Sequence, residues 1–135
     1  MDDLSKFTSI LFVLPDGRLI LQRRTNDAPY GPGLLGLFGG KVEIGETFDE
    51  CLRREVVEET NLSPNELNIE LIGDFTLPKS KDFNEMRHFY LFKSEVMDLN
   101  FEVYEGTGSE AYTVDELKHR TDLIISAQYV IDNIL

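Results

Sequence analysis

Apolar residues along this chain fall into short dense runs broken by turn signals, with helical spacing in a few separate stretches. Lys6 to Leu14 carries the nearly continuous run TSILFVL and predicts a strand buried on both faces. Pro15-Asp16-Gly17 is a turn signal, and Arg18 to Arg24 predicts a second strand, so the two form a hairpin. Asn68 to Leu77 alternates, with Ile69, Leu71 and Phe75 sharing a face across Gly73, as in a strand with one wet side. Glu85 to Met97 predicts another strand, apolar at its centre FYLF, and Phe101 to Tyr104 a short one. Phe48, Leu52 and Val56 recur at helical spacing, as do Leu123, Ile124, Ala127, Val130, Ile131 and Ile134 in a core-packing helix over Asp122 to Leu135. Thr113-Val114-Asp115-Glu116 opens a further helix.

The stretch Gly40 to Leu62 organises the rest. Thr47 with Glu50 reads as a capping box, so a helix starts near Phe48 and runs to about Thr60. Asn61 suits a left-handed position after the helix end, and Pro64 discourages continuation. At about 100° per residue, Glu55 and Glu59 fall on or beside the apolar arc, Glu58 and Cys51 flank it, and Arg53, Glu50 and Val57 point away. Carboxylates at the edge of a core-facing surface are disfavoured unless something offsets their lost hydration, and Arg54 can neutralise only one of them. The remaining negative charge suits a divalent ion that prefers oxygen ligands, Mg²⁺ or Mn²⁺.

Read whole, the stretch resembles the Nudix box, G-x5-E-x7-R-E-U-x-E-E-x-G-U with U aliphatic. Gly40, Glu46, Arg54, Glu55, Val56, Glu58, Glu59 and Leu62 stand at matching positions, and Asn61 replaces the usual glycine. The resemblance implies an α/β fold over the whole chain, residues 1–135. This is an α/β/α sandwich whose mixed, largely antiparallel sheet lies between the box helix and the C-terminal helix. It implies Mg²⁺- or Mn²⁺-dependent hydrolysis of a nucleoside diphosphate linked to another group. On that resemblance Glu58 and Glu59 are the first metal ligands, and Glu55 and the Gly40 carbonyl complete the cluster. Glu105, beside Gly106, delivers one further carboxylate from a loop, with Glu110 as competitor. Either Glu55 or Glu105 activates the water. Arg54 pairs with the box carboxylates and Glu46 supports the loop. Arg23 is the favoured phosphate clamp of the pair Arg23-Arg24. Phe38 either stacks on a base or fills core, and Lys41 joins Arg23 and Phe38 as a substrate-binding candidate.

Composition narrows the partners. The chain has 135 residues, 41% of them hydrophobic, enough for one domain with a real core. A net charge of −12 argues against a duplex nucleic-acid binder or an anionic membrane surface, but not against a small polyphosphate escorted by metal. No stretch approaches the ~20 apolar residues of a membrane span. The N-terminus lacks a signal-peptide layout, and the single Cys51 reads as a small buried hydrophobe, so a reducing cytoplasm is the expected setting. His88 reads as a structural hydrogen-bonder. Thr25 to Gly36, rich in glycine and proline, is expected at the mouth of the site. The small size and the spacing from Arg23-Arg24 to Gly39-Gly40 resemble the nucleoside-triphosphate pyrophosphohydrolases that clear oxidised dGTP, so the resemblance ranks triphosphates first as substrates. GDP-mannose-like nucleotide-sugars rank second, since Arg24-Thr25-Asn26 followed by a proline resembles that branch. Non-catalytic nucleotide binding is the third reading. Oligomeric state is not readable from the sequence.

Overall fold

The computed structural model describes residues 4–80 and 83–135. Strand β1 (Leu4–Val13) and β2 (Leu19–Arg23) form the expected hairpin, with Phe12 opposite Ile20. Next come β3 (Leu35–Gly36), β4 (Phe38–Lys41), helix α1 (Phe48–Glu59), a 3₁₀ turn (Pro64–Glu66), β5 (Glu70–Leu77) and β6 (Met86–Glu95). Strand β7 (Ser109–Tyr112), a short α2 (Val114–Lys118) and α3 (Ile125–Asn133) close the chain. The spatial order is β3-β2-β1-β6-β5, with β4 also on β1 and β7 also on β2. Only β1 with β6 is parallel among the pairs formed by these strands, so the sheet is mixed and largely antiparallel.

Strand β1 is buried on both faces because each face has its own cover. Ile10 and Phe12 join Phe38, Leu52, Val56 and Phe92 beneath α1. Leu11 joins Leu21, Leu91, Ala127, Val130 and Ile131 beneath α3. This is the α/β/α layering expected from the sequence. Among the described residues no helix is long and apolar enough to cross a membrane.

Four local expectations are corrected. A bulge sets Leu71 opposite Phe92 but Gly73 opposite Leu91, leaving Ile72 as the extra residue. Strand parity therefore flips: Ile69 packs beneath α1, Leu71 is 49% exposed, and Phe75 lies in the opposite cluster. Asn61 does not adopt a positive φ; the helix leaves through Thr60 in extended geometry, and Asn61 bonds backbone to backbone with Glu102. Phe101 to Tyr104 is not a strand: it supplies an isolated bridge, Val103 to Thr60. Finally, α3 starts at Ile125 rather than near Asp122, because Leu123 is drawn out to bridge Leu35.

Candidate active site

Helix α1 starts as the sequence requires. Thr47 accepts the Glu50 amide and the Glu50 carboxylate accepts the Thr47 amide, closing both halves of the capping box. The face turned to the sheet carries Cys51, Leu52, Val56 and Glu59. Glu59 is only 4% exposed, in line with an otherwise apolar stripe. Its Oε1 accepts the Gly39 amide at 3.0 Å. Glycine is required there: φ is +144°, and a Cβ would run into the Thr8 carbonyl of β1. A Cβ on Gly40 would instead run into the Glu55 carboxylate, so that carboxylate lies directly against the strand.

Glu55 and Glu59, one turn apart, thus meet at Gly39–Gly40 in a dry environment. Burial pushes both above the ordinary carboxylate range, Glu59 to about 9. The Gly39 amide opposes this for Glu59, while the charges of Glu55 and Glu105 reinforce it.

Arg54 reaches further than one partner. It grips Glu46 through Nε and Nη2 at 2.7 and 3.0 Å, and its Nη1 donates to Glu55 at 2.9 Å and Glu58 at 3.0 Å. A guanidinium has five donors in a fixed fork, which is how one cation serves three acids. Its hydrogen bonds hold the Glu46 carboxyl down at about 2. Glu46 also accepts the Glu43 amide, so it fastens the turn before the helix. Glu58, with its side chain 47% exposed, sits outside the Glu55–Glu59 pair. Among the described residues, no three His, Cys, Asp or Glu side chains converge closely enough to hold an ion between them. The box acids are divided instead between Arg54 and the Gly39 amide.

Glu105 is exposed on the loop before β7, and its charge acts on Glu59. The loop is pinned to β2. Gln22 donates to the Glu105 carbonyl, Thr107 donates to the Arg23 carbonyl, and Arg23 donates to the Gly108 carbonyl. Gly106, at φ +74°, lies so close to the Arg23 carbonyl that a Cβ would collide with it. Glu110 is occupied elsewhere, bidentate on Arg23 at 2.7 Å and accepting the Tyr112 hydroxyl at 2.5 Å.

Two substrate-binding candidates are engaged within the protein itself. The Arg23 guanidinium is taken by Glu110, Asp122 and the Gly33 carbonyl. It holds Glu110 below the usual carboxylate range, and Asp122 is held there chiefly by Arg120, with Arg23 adding to it. Phe38 is 1% exposed and packs edge-on against Phe12 and Phe101, so it fills core and offers no face to a base. Lys41 is exposed at the end of β4, and its carbonyl accepts from Arg54. His88 bonds to Thr76 and Asp74. Cys51 is fully buried, its thiol pushed up to about 11 by burial.

Across Gly39–Gly40 from α1 a cavity of about 240 Å³ opens on the other side of the strand, lined by Phe7, Arg24, Tyr30, Phe83 and Arg87 among others. Of these the sequence pointed to Arg24, as the alternative to Arg23, and to the Thr25–Gly36 loop around Tyr30. Arg87 had a detectable signal, since it stands in strand alternation on the same face as Phe89.

Comparison with known proteins agrees with this architecture. The NUDIX domain model matches residues 6–133. An oxidized purine nucleoside triphosphate hydrolase of Danio rerio is 29% identical over 137 residues, covering 97% of this chain and 76% of that protein. An uncharacterized Nudix hydrolase of Nostoc sp. is 31% identical over 102 residues, covering 61% of this chain and 60% of that protein. In three dimensions the chain is similar to the MutT protein of Methanosarcina mazei Go1, with a TM-score of 0.82, 19% identity, and coverage of 97% of this chain and 92% of that one. With the family's model matched along nearly its whole length, the chain belongs to the NUDIX domain family and is a pyrophosphohydrolase.

Proposed function

We propose that the chain hydrolyses a nucleoside triphosphate, oxidised purines included, to the monophosphate and pyrophosphate with Mg²⁺ or Mn²⁺. The observation that carries this is the buried Glu59 meeting Glu55 on the backbone of Gly39–Gly40, within reach of the charge of Glu105. The name of the zebrafish relative supports the choice of triphosphate.

The donor types suit a hard divalent cation, because Glu55, Glu58, Glu59, Glu105 and the Gly40 carbonyl offer only carboxylate and carbonyl oxygens. The exposed Glu58 and Glu105 would have to turn toward the Glu55–Glu59 pair to surround the ion. A bound ion would supply positive charge against the phosphate oxygens and acidity to the attacking water. The chain's own residues do the rest. Water attacks a phosphorus, the bond to the pyrophosphate oxygen breaks, and the water proton passes to Glu55 or Glu105 as general base. Arg54 holds the rotamers of Glu46, Glu55 and Glu58, and the Gly39 amide orients Glu59. Lys41, exposed beside the glycines, is available to the phosphate chain.

The test is phosphate and pyrophosphate release from a panel of nucleoside triphosphates and nucleotide-sugars with Mg²⁺, comparing wild type with Glu59→Gln. We expect triphosphates to turn over fastest and kcat to fall on the order of 10³-fold in the variant. Equal turnover in both proteins removes Glu59 from the mechanism. Faster turnover of nucleotide-sugars overturns the triphosphate assignment, and binding without turnover makes the chain a nucleotide-binding protein.

A further inference from the structure

Arg87 stands inside the cavity beside Gly39–Gly40, with its guanidinium carbon 4.2 Å from the ring centre of Phe83, 4.4 Å from that of Phe7 and 5.0 Å from that of Tyr30. Such contacts use the face of the guanidinium and leave its N–H donors in the plane, pointing outward from the edges. The hydrogen bond described for this side chain is made by the inner nitrogen Nε, to Glu85 at 3.0 Å. Arg24, at the rim, likewise bonds through Nε, to the Tyr30 carbonyl at 2.7 Å. Both charged side chains among the described lining residues are therefore arginines, in a chain of net charge −12. The volume, about 240 Å³, falls short of the roughly 300–1,000 Å³ that encloses a drug-sized ligand. It suits one flat heterocycle lying edge-on to the arginine that Phe7, Phe83 and Tyr30 hold in place, rather than a whole nucleotide.

We propose that this cavity takes the nucleobase and that Arg87, assisted by Arg24, selects a purine with a 6-oxo group over one with a 6-amino group. The inference rests on the nucleotide-hydrolase reading above. A guanidinium edge can donate two parallel bonds to the adjacent O6 and N7 acceptors of a 6-oxopurine. A 6-aminopurine presents an N–H donor in place of O6, so one arginine donor would face another donor and lose its hydration unpaired. The selectivity thus comes from what Arg87 cannot satisfy as much as from what it bonds.

ITP and ATP differ in the base at position 6 and in the proton on N1. Of the two only position 6 lies on the O6/N7 edge that Arg87 would read, so their kcat/KM ratio reports on the cavity. We expect wild type to favour ITP roughly tenfold or more. Arg87→Lys keeps a cation among the rings but loses the planar fork, and should bring the ratio to within about threefold, mainly through the KM of ITP. IMP and AMP binding by calorimetry, on the same two proteins, gives the same ratio without requiring turnover. A wild-type ratio near one in both measurements overturns the inference, as does a ratio retained in Arg87→Lys. If no nucleotide is hydrolysed yet IMP binds tenfold more tightly than AMP, the cavity assignment stands and the hydrolase reading falls.

Discussion

The side-chain amide of Gln22 donates to the backbone carbonyl of Glu105 at 3.0 Å, from a position on β2 that is only 6% exposed. A buried residue of the sheet thereby fixes the height of an otherwise exposed acidic loop. Gln22→Ala should loosen that loop at the cost of about one hydrogen bond, ~1 kcal/mol of stability. We expect kcat to fall about tenfold with KM nearly unchanged, because Glu105 is misplaced rather than removed. A parallel loss in KM, measured under steady-state conditions, would count against a positioning role.

Glu59 makes stability depend on pH in an unusual direction. Its carboxyl is raised from 4.5 to about 9 in the fold, so the folded state holds a proton that the unfolded state has released. Metal-free protein should therefore lose stability as pH rises from about 4.5 toward 9. Glu59→Gln should flatten this slope and raise Tm at pH 8, by roughly 2–8 °C for each kcal/mol relieved. Added Mg²⁺ should raise the Tm of wild type at pH 8 and much less that of the variant. Thermal melts with EDTA or Mg²⁺ at pH 6 and 8 check both statements.

Gly40 is needed for space. Any Cβ there meets the Glu55 carboxylate, while φ at this position is ordinary, so Gly40→Ala should displace the acid and leave the strand intact. We expect at least a tenfold loss of kcat with little change in Tm. Gly39→Ala behaves differently, since strain at φ +144° and collision with β1 add to each other, and should cost on the order of 1–3 kcal/mol. Circular dichroism melts and initial rates separate the two.

Arg23 is bound into the fold through Glu110 and Asp122, with its side chain 23% exposed. Arg23→Lys should lower stability by about 1–2 kcal/mol through loss of the bidentate grip. The KM for a triphosphate should move less than threefold. A tenfold rise in KM at unchanged Tm would restore the phosphate-clamp expectation.

The sequence disclosed what depends on near neighbours. The Thr47–Glu50 box, the Leu52–Val56 stripe and the Pro15-Asp16-Gly17 turn are all settled within a few residues, and each has its expected place. What it hid depends on distant partners. The bulge at Ile72 has no mark beyond a nearby glycine, yet it moves Phe75 to the other face. Arg23 and Arg24 are indistinguishable by alternation alone. Only the positions of Glu110 and Asp122 decide that Arg23 is bound inward, and the Tyr30 carbonyl that Arg24 lies at the rim. Arg54 looked able to answer one acid because its fork is not visible in a spacing pattern.

The parallel pairing of β1 with β6 has a kinetic consequence. Leu4 lies beside Met86 and Val13 beside Glu95, so the central seam joins the opening of the chain to a segment far downstream. Contacts that close so long a loop form late and slowly. The hairpin and the capped helix can appear early as local structure, but the platform beneath α1 stays open on one flank until β6 arrives. The opposite face waits longer still, for α3, so an emerging chain would expose Leu11 and Leu21 for longest, and during synthesis those side chains are the first candidates for chaperone capture.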